Sequence, residues 1–277
     1  MDNEVQKTFE QRFQSDPFHL QVEQCERYEL AEEILDLFRN NYPVLESGCG
    51  SGKWNAYLRK YDIPNFGFDW SQKLCARAKE QIPGNEFISG DLQNLPFKDN
   101  SFDGILALGS IEHTISGPEP ILKEFHRVLK KDGKALITVP YCGHFKSFLK
   151  NLKKPLKKFR NIIKKKTLNK PELKRVSEKA CKKWHPVFKE SEDGFFFYQY
   201  EFNHKQMRNF LNSCGFRIEK EFVAFGDDGL VYTFGKIAGK WKKDIAGFEF
   251  NPLGVVLKKL IPSSAIGHML CYVIRNK

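Results

Sequence analysis

The chain has 277 residues, of which 41% are hydrophobic, 29% charged and 14% aromatic, Phe alone supplying 25. That length and mixture suit a decorated α/β domain and exclude wholesale disorder. The formal charge of +11 is local: residues 146–189 hold 17 Lys and Arg against 2 Asp and Glu, so they carry +15 and the rest of the chain sums to −4.

The N-terminal run MDNEVQKTFEQRFQSD is polar and acidic with no leader-like apolar region, and no apolar run approaches the ~18 residues of a membrane span. A cytoplasmic chain is expected. Apolar periodicity then places Tyr28, Leu30, Ile34, Leu35 and Phe38 on one helix face. A short buried strand at 43–46 leads into a Gly-rich turn, and Trp54, Tyr57, Leu58 and Tyr61 recur at helical spacing beyond it. Strands are expected at 65–69, 86–89, 104–108 and 134–139. Ser71 is read as the cap of the helix through Leu74 and Ala78. The helix before the fifth strand carries Ile121, Leu122, Phe125, Val128 and Leu129 and is expected to stop at Asp132-Gly133. After some sixty residues without alternation, Asn203 is read as the cap of a helix bearing Met207, Phe210, Leu211 and Cys214, followed by strands at 216–225 and 269–274. Strands alternating with helices predict an α/β fold, a mainly parallel sheet covered on both faces. The seven cysteines are scattered without a CxxC or Cys/His cluster, so neither a zinc site nor a disulfide framework is expected.

The chemistry sits in Val44-Leu45-Glu46-Ser47-Gly48-Cys49-Gly50-Ser51-Gly52, at a strand-to-helix turn. Glycines there let the backbone approach a ligand at a helix N-terminus, and a strand-end acid grips a cation or a hydroxyl. A dinucleotide fold wants G-x-G-x-x-G, but Lys53 stands where the third Gly belongs, and Glu46 would set negative charge beside phosphates. The pattern E-x-G-x-G-x-G instead resembles motif I of the class I S-adenosylmethionine-dependent methyltransferases, of the small-molecule, type 11-like kind. Further residues carry the resemblance in order: Gly67-Phe68-Asp69-Trp70-Ser71, Gly90-Asp91-Leu92, Leu95-Pro96-Phe97 with Ser101-Phe102-Asp103, Ser110-Ile111-Glu112-His113, and Arg127-Val128-Leu129-Lys130. A weaker match runs from Phe202-Asn203 through Cys214-Gly215-Phe216.

The resemblance implies a Rossmann-like seven-stranded, mostly parallel sheet with helices on both faces. It divides the chain into an N-terminal helical cap (1–40), a cofactor-binding core (41–140), a basic amphipathic insertion or lid (141–200), and a segment completing the fold with a second insertion (201–277). It implies S-adenosyl-L-methionine as cofactor, held by Glu46, Gly48, Gly50, Gly52, Asp69, Asp91 and Leu92, with Asp69 on ribose hydroxyls, Asp91 on the adenine amine and Leu92 against the ring. It further implies methyl transfer to a small-molecule, sugar or lipid-linked hydroxyl. His113 is the first candidate for a general base, a structural role being the alternative; Tyr141, His144, Tyr198 and Tyr200 are candidate substrate contacts. No metal is expected. The stretch after the fourth strand lacks an Asn/Asp-Pro-Pro-Tyr motif, and no Pro-Cys pair is present, which argues against two routes of base methylation. An RNA methyltransferase and a non-catalytic binding module remain alternatives.

Residues 148–166 interleave apolar residues at helical spacing with lysines, and a second apolar-basic stretch runs from 248 to 261. Such segments are read as a cap helix with a solvated basic face, as a surface for an anionic membrane, or, less readily because Lys outnumbers Arg, as a nucleic-acid grip.

Overall fold

The computed structural model describes residues 3–14, 16–40, 42–142, 184–191, 194–242 and 247–277. Three helices, α1 (Asn3–Gln14), α2 (Phe18–Arg27) and α3 (Ala31–Phe38), precede the alternating core. The core runs β1 (Val44–Ser47), α4 (Lys53–Lys60), β2 (Asn65–Asp69), α5 (Gln72–Gln81), β3 (Glu86–Ser89), β4 (Phe102–Leu108), α6 (Glu119–Val128) and β5 (Leu129–Pro140). A hairpin of β6 (His185–Ser191) and β7 (Gly194–Glu201) follows, then α7 (His204–Ser213) and β8 (Phe216–Ala224). Between β8 and the last strand lie α8 (Gly226–Phe234), a small hairpin of β9 (Gly239–Lys242) and β10 (Gly247–Phe250), α9 (Pro252–Leu260) and α10 (Ser263–Ile266), before β11 (Met269–Asn276) closes the sheet.

The seven strands lie in the order β3-β2-β1-β4-β5-β11-β8, and β11 alone runs against its neighbours β5 and β8. Alternate residues face opposite sides. Val44, Leu106 and Leu136 meet Leu30, Ile34, Phe38, Trp54 and Leu58 on one face, while Leu45, Ile105, Ala135 and Ile137 meet Ile121, Leu122, Phe125, Phe202, Met207 and Leu211 on the other. Both faces are apolar, which is why these strands read as continuous buried runs. Because the chain leaves β1 toward β2 and β3 and returns on its other side as β4, a crevice opens at the carboxyl ends of β1 and β4.

Several local expectations have visible causes. The Ser71 hydroxyl accepts from the Leu74 amide, and Asn203 forms a reciprocal cap with Gln206. The expected single helix through Tyr28 and Phe38 is broken at Tyr28, whose extended backbone lets its ring stack on Trp54 and meet the edge of Phe225. The helix bearing Phe125 ends at Val128 rather than at Asp132. The amides of Asn100 and Ser101 donate to the carbonyls of Arg127 and Val128, and this draws Leu129 into β5 beside Phe102. Arg127 itself donates to the carbonyls of Leu95 and Phe97 and to the carboxylates of Asp99 and Glu124, which fixes the loop between β3 and β4. β11 extends past the expected end because the Asn276 side-chain amide donates to the carbonyls of His126 and Leu129.

Most of the basic segment, with its expected amphipathic helix, lies outside the described residues, as does His144. Among the described residues no helix is long and apolar enough to cross a membrane, and no group of three or more His, Cys, Asp or Glu is placed to hold a metal ion.

Candidate functional site

The turn after β1 is shaped by close backbone approach. Gly48 has φ +76°, and a Cβ there would lie 2.4 Å from the Cβ of Ser110 at the end of β4, so only glycine fits. The amides of Gly48 and Cys49 donate to the Phe68 carbonyl on β2. One residue on, the Asp69 carboxylate joins two turns: Oδ2 accepts from the Gly50 amide at 2.9 Å and Oδ1 from the Ser71 amide at 2.9 Å. Burial raises the pKa of Asp69, and the amides of Ser71, Gly50 and Trp70 oppose that rise. Each oxygen keeps a second lone pair for a hydroxyl donor.

Glu46 is 3% exposed, and its Oε2 has no hydrogen-bond partner among the described residues. Burial pushes its pKa well above the carboxylate range, opposed by Lys53 and the Asn55 amide. A buried carboxylate oxygen left without a partner is costly, and a ligand cation would satisfy it.

A cavity of about 310 Å³ occupies the crevice, within the size range of small-molecule sites. Gly48, Asp69, Asp91, Leu92 and His113 all line it, so the fold brings together five of the residues singled out in the sequence. Asp91 is exposed and accepts from the Gln93 amide, and Leu92 is half-buried beside it. Glu46 is buried in the adjoining strand. Gly50 lies under the ring of Phe13, where a Cβ would approach to 2.7 Å, and Gly52 packs toward Ala78 and Ile82.

Phe9 and Phe13 of α1 form a wall of this cavity that the sequence reading did not assign. Val5, Phe9 and Phe13 recur every four residues, a stripe that could have marked α1 as covering something apolar. Phe9 stacks on Tyr198 and meets the rings of His113 and Trp70 edge-on.

His113 lies in a single tight turn, Ile111–His113, after β4. Its Nδ1 is 2.7 Å from the carbonyl oxygen of Tyr198, and its Nε2 is 3.6 Å from Glu112 Oε1. Burial lowers His113 to about 4 despite the carbonyls of Tyr198 and Gly109, while burial raises Glu112 to about 8. Burial thus favours the neutral imidazole, in which Nε2 keeps its lone pair.

The remaining acceptor candidates fall apart spatially. Tyr198 meets the cavity wall through Phe9 and His113, and Lys189 Nζ lies 3.3 Å from its ring centre. Tyr200 is fully buried, and its hydroxyl donates to the Ile115 carbonyl at 2.8 Å, so it is a core residue rather than a substrate contact. Tyr141 packs edge-on against His204, and its amide donates to the His268 carbonyl; it does not line the cavity. A second cavity of about 410 Å³ shares Phe13 as a wall and is bounded by Arg12, Tyr28 and Lys53 on one side and by Asp228, Tyr232, Trp241 and Phe248 on the other. Burial raises Asp228 to about 6.

Residues 45–137, which hold the glycine turn and the acids at successive strand ends, match the family model described as "Methyltransferase domain". Among curated proteins, the chain is 36% identical over 114 residues to a demethylmenaquinone methyltransferase of Thermotoga maritima, covering 40% of this chain and 48% of that one. It is 38% identical over 100 residues to a fatty-acid O-methyltransferase of Mycolicibacterium smegmatis, covering 34% of this chain and 36% of the relative. The chain thus spans about half the length of the first relative and about a third of the second. The fold extends further: a structure described as an S-adenosylmethionine-dependent methyltransferase from Methanosarcina mazei superposes with a TM-score of 0.56 at 15% identity, over 88% of this chain and 96% of that one.

Proposed function

We propose that this chain transfers the methyl group of S-adenosyl-L-methionine to an oxygen of a lipid-like small molecule. The carrying observation is the buried Glu46 oxygen without a partner beside a glycine turn that Asp69 holds in place. Bound, the cofactor supplies an electrophilic methyl on a cationic sulfur. In this reading Glu46 offers the negative charge for a cationic ligand, Gly48 and Gly50 let the backbone come close, Asp69 takes ribose hydroxyls, and Asp91 and Leu92 receive the adenine. Gly52 sets the start of α4. Phe9 and Phe13 exclude water, and alignment of reactants in such a site is worth about 7–11 kcal/mol. His113 is a neutral positioning group. Support for a lipid-like acceptor comes from the quinone and fatty acid in the relatives' names. An acceptor of that kind makes work at a membrane surface part of the same reading.

Calorimetric titration with S-adenosylmethionine tests the reading. Binding by the wild type and its loss in Asp69→Ala are expected, followed by transfer of labelled methyl to a long-chain quinol or fatty acid. Absence of cofactor binding, or an Asp69→Ala variant that binds as well as the wild type, sinks it.

A further inference from the structure

We propose that the insertion between β8 and β11 docks this protein on an anionic bilayer through the outer face of α9. The proposal rests on the methyl-transfer reading only for what the neighbouring cavity receives.

Helix α9 is apolar on two sides. Its inner side belongs to a small core: Gly254 sits directly on Ala238, where a Cβ would come within 1.8 Å of the carbonyl oxygen, and Leu257 packs with Leu230, Phe250 and Ile266. Its outer side presents Leu253, Val256 and Leu260 at i, i+3 and i+7, with relative exposures of 51%, 49% and 73%. Tyr232, Ile237 and Trp241, elsewhere in the same insertion, are exposed as well. A helix whose second apolar face is left to water has a use for that face.

The charge around these residues selects the occupant. Residues 236–260 hold six lysines and two acids. Lys240 and Lys242 pair with Glu249 and Lys258 with Asp227, whereas Lys236 and Lys259 are exposed and make no ion pair among the described residues. A symmetric pairing of two copies through this face would bring two lysine-bearing patches of the same sign together, since such an interface joins the same patch of both copies. A nucleic acid would satisfy the lysines and leave Leu253, Val256 and Leu260 in water. An anionic bilayer accepts both parts, the leucines and valine at the acyl boundary and the lysines among the headgroups.

Tyr232 and Trp241 belong to the exposed set and also line the 410 Å³ cavity. These two side chains give the cavity an exposed edge within the same insertion.

Flotation of the full chain with vesicles of phosphatidylcholine containing 30% phosphatidylglycerol (an arbitrary, roughly cell-like anionic content) tests the proposal against vesicles of phosphatidylcholine alone. Wild type is expected to float with the anionic vesicles, and Leu253→Asp/Leu260→Asp to lose affinity at least about tenfold. Both positions are exposed, so the double variant should keep its melting temperature and its affinity for S-adenosylmethionine. As a second reading, anionic vesicles should shift tryptophan emission to the blue in the wild type, and Trp241→Phe should abolish most of that shift. Three results overturn the proposal: no flotation by the wild type, equal flotation by the double variant, or a wild-type dimer that the double variant dissociates. Vesicle binding is read without turnover and cofactor binding without vesicles, so failure here leaves the methyl-transfer reading standing, and the reverse holds.

Discussion

The Nδ1 of His113 lies 2.7 Å from the carbonyl oxygen of Tyr198, a residue 85 positions later in the chain. A carbonyl can only accept, so Nδ1 carries the proton and Nε2 the lone pair in the neutral ring. One hydrogen bond thus joins the turn after β4 to the hairpin strand β7, and it does so at the wall of the 310 Å³ cavity.

His113→Ala removes that bond and frees β7 from the cavity wall, so kcat should fall roughly ten- to a hundredfold while the affinity for S-adenosylmethionine stays nearly unchanged. Because the ring is already neutral, the wild-type pH–rate profile should show no break near pH 6.5 from this residue, and histidine resonances followed by NMR should leave His113 untitrated between pH 5 and 8. Unchanged turnover in His113→Ala would remove the residue from the site's chemistry.

The neighbouring acid predicts an opposite pH response. Glu112, raised to about 8 by burial, holds its proton in the folded state while the unfolded chain ionises it near 4.5. Its contribution to stability is complete below pH 4.5 and declines as pH rises toward 8. His113 is neutral in the fold down to about 4 and takes a proton near 6.5 when unfolded, so it costs stability as pH falls from 6.5 to 4. The two slopes oppose each other between 4.5 and 6.5, and Glu112 acts without that opposition from 6.5 to 8. Glu112→Gln should flatten the fall in unfolding free energy over that upper window, by up to about 1.4 kcal/mol per pH unit, and the fall in Tm with it. Parallel Tm curves for variant and wild type would reject this assignment.

Glu46 separates cofactor affinity from apo stability. Replacing a buried acid whose Oε2 has no partner by a neutral amide in Glu46→Gln should raise the Tm of the free protein, yet increase the cofactor Kd about tenfold or more, a change of roughly 1.4 kcal/mol. Since burial favours the protonated acid and a cationic ligand favours the carboxylate, wild-type binding should release up to about one proton. Calorimetry in two buffers of different ionisation enthalpy reads that release, which the variant should lack.

Gly48→Ala tests the close approach beneath the cavity. Gly48 (φ +76°) and Gly235 (φ +61°) both have positive φ, but an added methyl meets Ser110 at 2.4 Å in the first case and open space in the second. Gly235→Ala should cost about 1–3 kcal/mol from backbone conformation alone, measured by denaturant unfolding. Gly48→Ala should cost more and also weaken cofactor binding. Equal losses at the two positions would show that the contact with Ser110 relaxes freely.

The sequence by itself determined the alternation of strands and helices, the caps at Ser71 and Asn203, the glycine turn, and the acids Glu46, Asp69 and Asp91 at successive strand ends. All are local patterns: a periodicity of two or 3.6, a turn that needs glycine, or a short polar residue before an apolar stripe. Tertiary structure decided the rest. It set Phe9 and Phe13 over the cavity, buried Tyr200 with its hydroxyl on Ile115, turned Tyr141 toward His204, and set the His113 ring against the Tyr198 carbonyl. It also gave α9 a second apolar face. Each of these depends on which distant segments pack together, because burial, unlike residue type or spacing, is a property of the assembled layers. A histidine beside a strand end reads the same in sequence whether solvent or Tyr198 stands opposite it, and only the packed hairpin supplies the carbonyl and the low dielectric that fix its proton.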